Sequence, residues 1–187
     1  MKIAFKRRNS GFTLIEALIT ISIASILASI AIPSFTKMIE SNRISSASND
    51  FLSALMFARS EAAKRSFSVS ICTSSNSATC NTSLDDYALG WIIFVDCDDN
   101  GSLSTAVTTC DFDGDGNPDS DLLLRVQQPL GNISIAATSA AVTDSFTYRF
   151  SGRPASLAAG FNIGPDASTV KKGIKVARTG RVKLESY

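Results

Sequence analysis

Residues 12–32 are apolar almost without interruption, broken only by small Ser and Thr residues and by one carboxylate, Glu16. These twenty-one residues, at 1.5 Å rise each, make about 32 Å of helix, enough to cross the hydrocarbon core of a bilayer. The run therefore dictates a membrane anchor near the N-terminus. A charge close to the start of such a helix costs several kcal/mol in hydrocarbon, so Glu16 needs a partner or a function. Ahead of the run stand Lys2, Lys6, Arg7 and Arg8. An ordinary secretory signal fits poorly, because the apolar run is too long and lacks a small-residue cleavage site at its far end.

Pro33 follows, and its ring removes a helical hydrogen bond and crowds the preceding turn, so a kink or local loosening is expected there. The helical pattern then resumes. Phe35, Met38, Ile39, Ala47, Phe51, Leu55, Ala58 and Ala62 recur at three- and four-residue spacing, with charged residues mainly between them. The pattern predicts one helix over residues 12–65, roughly 80 Å long. The alternative is two helices with a break at Ser45-Ser46, where Ser and Asn weaken helix propensity.

Beyond Ser66 the period becomes extended. Phe67, Val69 and Ile71 alternate with serines, which predicts a half-buried strand, and residues 91–95 form a continuous apolar run that predicts a doubly buried central strand. Residues 122–126, 133–137, 146–150, 161–163, 174–177 and 182–184 are further strand candidates. Short strands separated by Gly, Asn, Asp and Ser predict antiparallel sheet, with the long helix covering one face. Residues 73–86 and 138–143 read as surface loops.

The 187 residues suit one anchor and one domain of moderate size. Four of the 18 basic residues lie ahead of the anchor; the other 14 face 17 acidic ones, a net charge of −3, so any anion-binding role needs a local patch. Histidine is absent, which excludes Ser-His-Asp and Cys-His chemistry and removes the commonest metal ligand. There is no P-loop, no dinucleotide fingerprint and no zinc spacing. An enzyme is not expected.

The basic leader followed by Gly11-Phe12-Thr13-Leu14-Ile15-Glu16 resembles the class III signal of type IV pilins and type II secretion pseudopilins. That resemblance implies cleavage after Gly11 by a prepilin peptidase, N-methylation of Phe12, and pairing of Glu16 with the amino terminus of a neighbouring subunit during assembly. The physics agrees. Cleavage creates a positive N-terminus one helical turn from Glu16, and two opposite charges in low dielectric compensate each other across subunits. The plainer alternative is an uncleaved anchor. Further along, Ala58-Arg59-Ser60-Glu61-Ala62, Gly90-Trp91-Ile92-Ile93-Phe94-Val95-Asp96, Leu123-Leu124-Arg125-Val126, Phe150-Ser151-Gly152-Arg153-Pro154 and Thr179-Gly180-Arg181 resemble the FimT/GspH branch of minor pilins and pseudopilins. The branch implies an α+β fold, a pilin-like long N-terminal helix packed on a C-terminal antiparallel β-sandwich-like domain. The division expected is a removable leader (1–11), a transmembrane or filament-core helix half (12–32), an amphipathic helix half (33–65) and a β-rich domain (66–187). The implied partners are other pilins or pseudopilins, the prepilin peptidase and the inner membrane, with the globular domain periplasmic.

The anchor puts Cys72, Cys80, Cys97 and Cys110 in an oxidising compartment. Sequence allows three pairings. Cys72–Cys80 and Cys97–Cys110 are favoured, because each closes a local loop beside a predicted strand; each bridge is worth about 3 kcal/mol. The stretch Asp111-Phe112-Asp113-Gly114-Asp115-Gly116-Asn117-Pro118-Asp119 places oxygen ligands at alternate positions before a glycine, like the opening of a calcium loop. Leu122 stands where a bidentate Glu belongs, and the flanking segments read as strands, so this is not an EF-hand. The preferred reading is an acidic solvated connection with no cofactor required; a Ca2+-binding hairpin loop at Asp111, Asp113, Asp115, Asn117 and Asp119 is the alternative.

Near the C-terminus Lys171, Lys172, Lys175, Arg178, Arg181 and Lys183 face only Glu185. Thr179-Gly180 suits a hairpin turn with positive φ, and Arg181 and Lys183 then share a face about 7 Å apart. Such a comb neutralises phosphates without reading bases. The resemblance implies a DNA-binding Gly-Arg-x-Arg motif here, which stands as Gly180-Arg181-Val182-Lys183; the final Lys keeps the charge and loses the bidentate fork. Three functions follow as expectations: a minor pilin that helps initiate a type IV pilus, the same protein holding double-stranded DNA for uptake, and an H-type pseudopilin of a type II secretion system.

Overall fold

The computed structural model describes residues 11–106, 110–111, 115–156 and 159–187. The leader cations and Asp113 lie outside the described residues. Helix α1 runs over Leu14–Arg65 and is continuous through Pro33 and through Ser45-Ser46. The expected loosening at Pro33 does not end the helix: one missing N–H removes a single bond from a ladder that holds on both sides. The chain divides into two compact units, the first ending at Ser41 and the second spanning Asn42–Tyr187.

In the first unit the helix hides its own polar groups. The Ser22 hydroxyl donates to the Leu18 carbonyl at 2.8 Å, Ser25 to Ser22 at 2.8 Å and Ser29 to Ile26 at 2.7 Å. In hydrocarbon an unbonded hydroxyl is costly, and these local bonds remove that cost. The large apolar side chains of this unit, from Phe12 to Ile39, are all more than half exposed. By length and composition this is a helix able to cross a membrane.

In the second unit eight strands follow among the described residues: β1 (Val69–Thr73), β2 (Trp91–Val95), β3 (Leu122–Gln127), β4 (Ser134–Ala137), β5 (Ser145–Tyr148), β6 (Ala159–Gly164), β7 (Lys172–Val176) and β8 (Val182–Ser186). They form two antiparallel sheets, ordered β3-β2-β1-β5 and β4-β6-β7-β8. Helix residues Ile44, Ala47, Phe51, Ala54, Leu55, Ala58 and Ala62 are buried. They share one core with residues of both sheets, including Ile71, Ile93, Phe146, Ile135, Phe161 and Ile174. The one large ring, Phe51, packs against Tyr87, Trp91 and Phe161 at centroid distances of 5.2, 5.2 and 4.8 Å. This is the α+β, pilin-like architecture expected from the sequence.

Two strands differ from expectation. Strand β1 is buried at all five positions rather than on one face. Its serine face is covered too: Ser70 donates to Asp96 Oδ2 at 2.6 Å, and Cys72 packs with Ile92 and Phe94 in a small second cluster. Strand β5 ends at Tyr148, and Phe150 turns out to solvent at 63% exposure, because the chain enters a tight turn at Arg149. The disulfides join Cys72 to Cys80 and Cys97 to Cys110. Each pins a loop to the end of a strand of the first sheet.

Candidate functional site

The helix starts where Thr13 caps it. The Thr13 hydroxyl accepts from the Glu16 N–H at 3.3 Å and lies 3.5 Å from the Glu16 carboxylate. Thr13 and Glu16 thus stand at the two ends of a Thr-x-x-Glu capping arrangement. Gly11, Phe12 and Glu16 are all exposed.

At the other end of the chain, β7 and β8 form a hairpin in which Lys175 lies directly opposite Lys183. The turn is closed by Gly180 N–H donating to the Ala177 carbonyl at 2.8 Å, with Gly180 at φ +79°. The six cations proposed from sequence do not all face one way. Alternation along β7 points Lys172 the opposite way from Lys175, and its ammonium donates to Ser45 Oγ on the helix at 3.0 Å. Lys175 and Lys183 flank Glu185 at 2.7 and 3.6 Å. The hydrogen bond to Glu185 raises the Lys175 pKa, and the same bond lowers that of Glu185. Lys171 is exposed just before β7, and Arg178 and Arg181 stand exposed at the tip. Neither arginine is in an ion pair among the described residues. Beside the hairpin, small residues at Gly160, Gly173 and Ala177 leave a groove of about 670 Å³, bordered by Arg181, Lys183 and Tyr187.

Arg59, on the helix, was not singled out as a site residue from sequence. Its Nε donates to the Gly152 carbonyl and its Nη2 to the Thr179 carbonyl, both at 3.0 Å. A motif match locates Arg59, Gly152 and Gly180 in the chain, but only the fold brings them together.

The acidic segment gives two results. Between Cys110 and Asp119, Gly116 N–H donates to Asp111 Oδ2 at 3.0 Å and Asn117 N–H to Asp115 Oδ1 at 2.7 Å. These are local turn bonds, and Asp115, Gly116 and Asn117 are exposed. Among the described residues, Asp96, Asp98 and Asp121 converge, each with an oxygen within 4.8 Å of the others. Asp96 and Asp98 open the segment Asp96-Cys97-Asp98-Asp99-Asn100-Gly101, which has the same alternation of oxygen ligands before glycine. That alternation is the signal in the sequence that marks this segment. Asp96 accepts from Ser70, Asn100 and Gly101, and Asp121 accepts from Cys97 and Ser104.

Burial pushes the Asp96 pKa up to about 6, and the charge of Asp121 adds to the rise. In the unfolded chain an aspartate titrates near 4, so the folded chain holds an extra proton between these values. That contribution to stability is full below pH 4 and is lost as pH rises through 6. With EDTA present, wild type is expected to lose about 2–3 kcal/mol relative to Asp96→Asn between pH 4 and pH 7. Urea unfolding of both proteins across that range checks it, and parallel curves would refute it.

The sequence has no histidine. A family model for "Type II transport protein GspH" matches residues 47–180, and one for the prokaryotic N-terminal methylation motif matches residues 6–32. No curated protein sequence matches the chain. Two crystal structures of the Pseudomonas aeruginosa (strain PAO1) type IV minor pilin FimU share its fold. The crystal in space group P65 gives a TM-score of 0.51 at 17% identity, over 75% of this chain and 91% of that one. The crystal in space group P21 gives 0.53 at 18% identity, over 78% and 90%. With the family model spanning most of the globular unit and the methylation motif on the anchor, the chain belongs to the GspH family of pilin-like proteins.

Proposed function

We propose that the mature chain, cleaved after Gly11 and methylated at Phe12, is a minor pilin that enters a type IV pilus through its N-terminal helix. The observation that carries this reading is the helix itself. It pairs a prepilin motif with a long face of exposed apolar side chains whose hydroxyls are already bonded internally. Such a helix belongs in lipid or among other helices of its kind. Glu16 then compensates the N-terminal ammonium of a neighbouring subunit. The likeness to a type IV minor pilin supports a pilus. The family model's description favours the second reading, an H-type pseudopilin of a type II secretion system.

In the pilus reading, the C-terminal hairpin offers Arg178, Arg181 and Lys183 to the phosphate backbone of double-stranded DNA. The test uses the mature full-length chain in detergent and a duplex of arbitrary sequence over a salt series. Wild type binds more weakly as salt rises, and Arg178→Gln/Arg181→Gln/Lys183→Gln reduces the slope of log K against log salt by about 2–3, at 0.9 per lost phosphate contact. Absence of binding by wild type at low salt would end the DNA reading and leave the assembly role.

A further inference from the structure

We infer that the DNA-facing surface is composite: the turn at Arg149–Arg153, on the other sheet's side of the molecule, supplies Arg149 and Arg153 to the same phosphate-binding patch as Arg178 and Arg181. This rests on the DNA reading above and extends it to a second turn and a residue that holds the two together.

The two turns are built alike. In one, Gly152 N–H donates to the Arg149 carbonyl at 2.7 Å and Arg149 N–H to the Arg153 carbonyl at 2.9 Å. In the other, Gly180 N–H donates to the Ala177 carbonyl at 2.8 Å and Ala177 N–H to the Arg181 carbonyl at 2.9 Å. Both glycines have positive φ, +69° and +79°, so each turn tolerates no ordinary side chain at that position. The turns touch backbone to backbone, and a Cβ on Gly180 would run into the Gly152 carbonyl oxygen. Arg59 clips them from the helix side. One guanidinium bonds a carbonyl of each turn, at 3.0 Å both times. Charge-assisted bonds of this kind are stronger than neutral ones and fix geometry.

The consequence is a cluster of like charge. Gly152 and Gly180 are buried in the contact, while Arg149, Arg153, Arg178 and Arg181 are all exposed. None of the four is in an ion pair among the described residues. Two abutting turns thus carry four exposed arginines, a local excess of positive charge that suits a polyanion. A duplex carries one charge per about 1.7 Å of axis, so one patch meets several phosphates at once. Guanidinium forks suit phosphate oxygens better than ammonium groups do. Lys175 and Lys183 share one carboxylate, Glu185, which offsets part of their charge, so the arginines carry most of the available charge. Arg59 is a positioning residue here, because its Nε and one Nη2 donor hold the backbone of the two turns together.

Fluorescence anisotropy with a 30-base-pair duplex of arbitrary sequence (about one contact site) and the mature full-length chain in detergent tests this. Arg149→Gln/Arg153→Gln is expected to weaken binding about tenfold or more and to reduce the salt slope by about 2. Arg59→Lys keeps the charge and cannot reach both carbonyls. It is expected to weaken binding and to speed amide exchange selectively at Gly152 and Gly180, a local signature that general destabilisation would not give. If wild type binds and the hairpin triple variant does not, while Arg149→Gln/Arg153→Gln keeps the wild-type affinity and slope, the composite surface is wrong and the hairpin alone binds. Unchanged exchange at both glycines in Arg59→Lys would overturn the clip. No binding by wild type would remove the DNA reading and this extension together.

Discussion

Phe51→Ala is expected to lower the stability of the globular unit by about 4 kcal/mol. Phe51 is fully buried and is the one large ring that the helix sends into the core. Its edge-on contacts with Trp91 and Phe161, at 5.2 and 4.8 Å, link the two sheets through a single side chain. Truncation removes the transfer free energy of the ring and leaves a cavity walled by other rings, which cannot collapse without moving strands. Urea unfolding followed by the fluorescence of Trp91 reads the loss; this is the sole tryptophan of the chain and lies against the new cavity. Phe150→Ala is the control. That ring is 63% exposed, and its loss is expected to cost about 0.5 kcal/mol or less. Equal effects of the two substitutions would show that the helix stripe does not organise the core.

Glu16→Ala is expected to leave synthesis, membrane insertion and leader cleavage intact while reducing incorporation into filaments about 100-fold or more. The reason is an asymmetry of buried charge. A carboxylate and an ammonium brought together in low dielectric compensate each other, and removing one strands the other at a cost of about 3–5 kcal/mol. With about 1.4 kcal/mol per factor of ten, that is a loss of about two to three and a half orders of magnitude in association. Glu16→Gln preserves shape and hydrogen bonding and is expected to fail almost as badly. Quantitative immunoblotting of sheared filaments against whole membranes gives the ratio. Normal incorporation of Glu16→Ala would show that the carboxylate serves only as a partner for Thr13 at the helix start.

The elements were legible in the sequence wherever local pattern decides structure. Residues 91–95 read as a doubly buried strand because five apolar residues in a row have no polar face to offer, and that is the strand observed. The helix stripe from Ala47 to Ala62 was legible from its spacing, and the hairpin from Gly180. Burial that depends on what lies across space was not. The serines of β1 suggested a wet face, yet Ser70 is sealed by Asp96 from a neighbouring strand's end. Phe150 continued an apolar pattern that the Arg149–Arg153 turn interrupts. The same limit governs the candidate sites. Lys172 counted as one of six cations until the strand's pleat turned it toward Ser45. Arg59 read as one of several charges between helix apolar positions, because the carbonyls it holds are 93 and 120 residues away.

Whether this chain is a subunit of a filament is read from the filaments themselves. Filaments sheared from cells carrying a C-terminally tagged copy are purified and analysed by mass spectrometry, beside the same strain lacking the prepilin peptidase. A filament subunit is expected in the sheared fraction, beginning at N-methylated Phe12, and is expected to be absent from that fraction when the peptidase is missing. A chain found only in the membrane, with its leader still attached in the presence of the peptidase, would contradict the filament role.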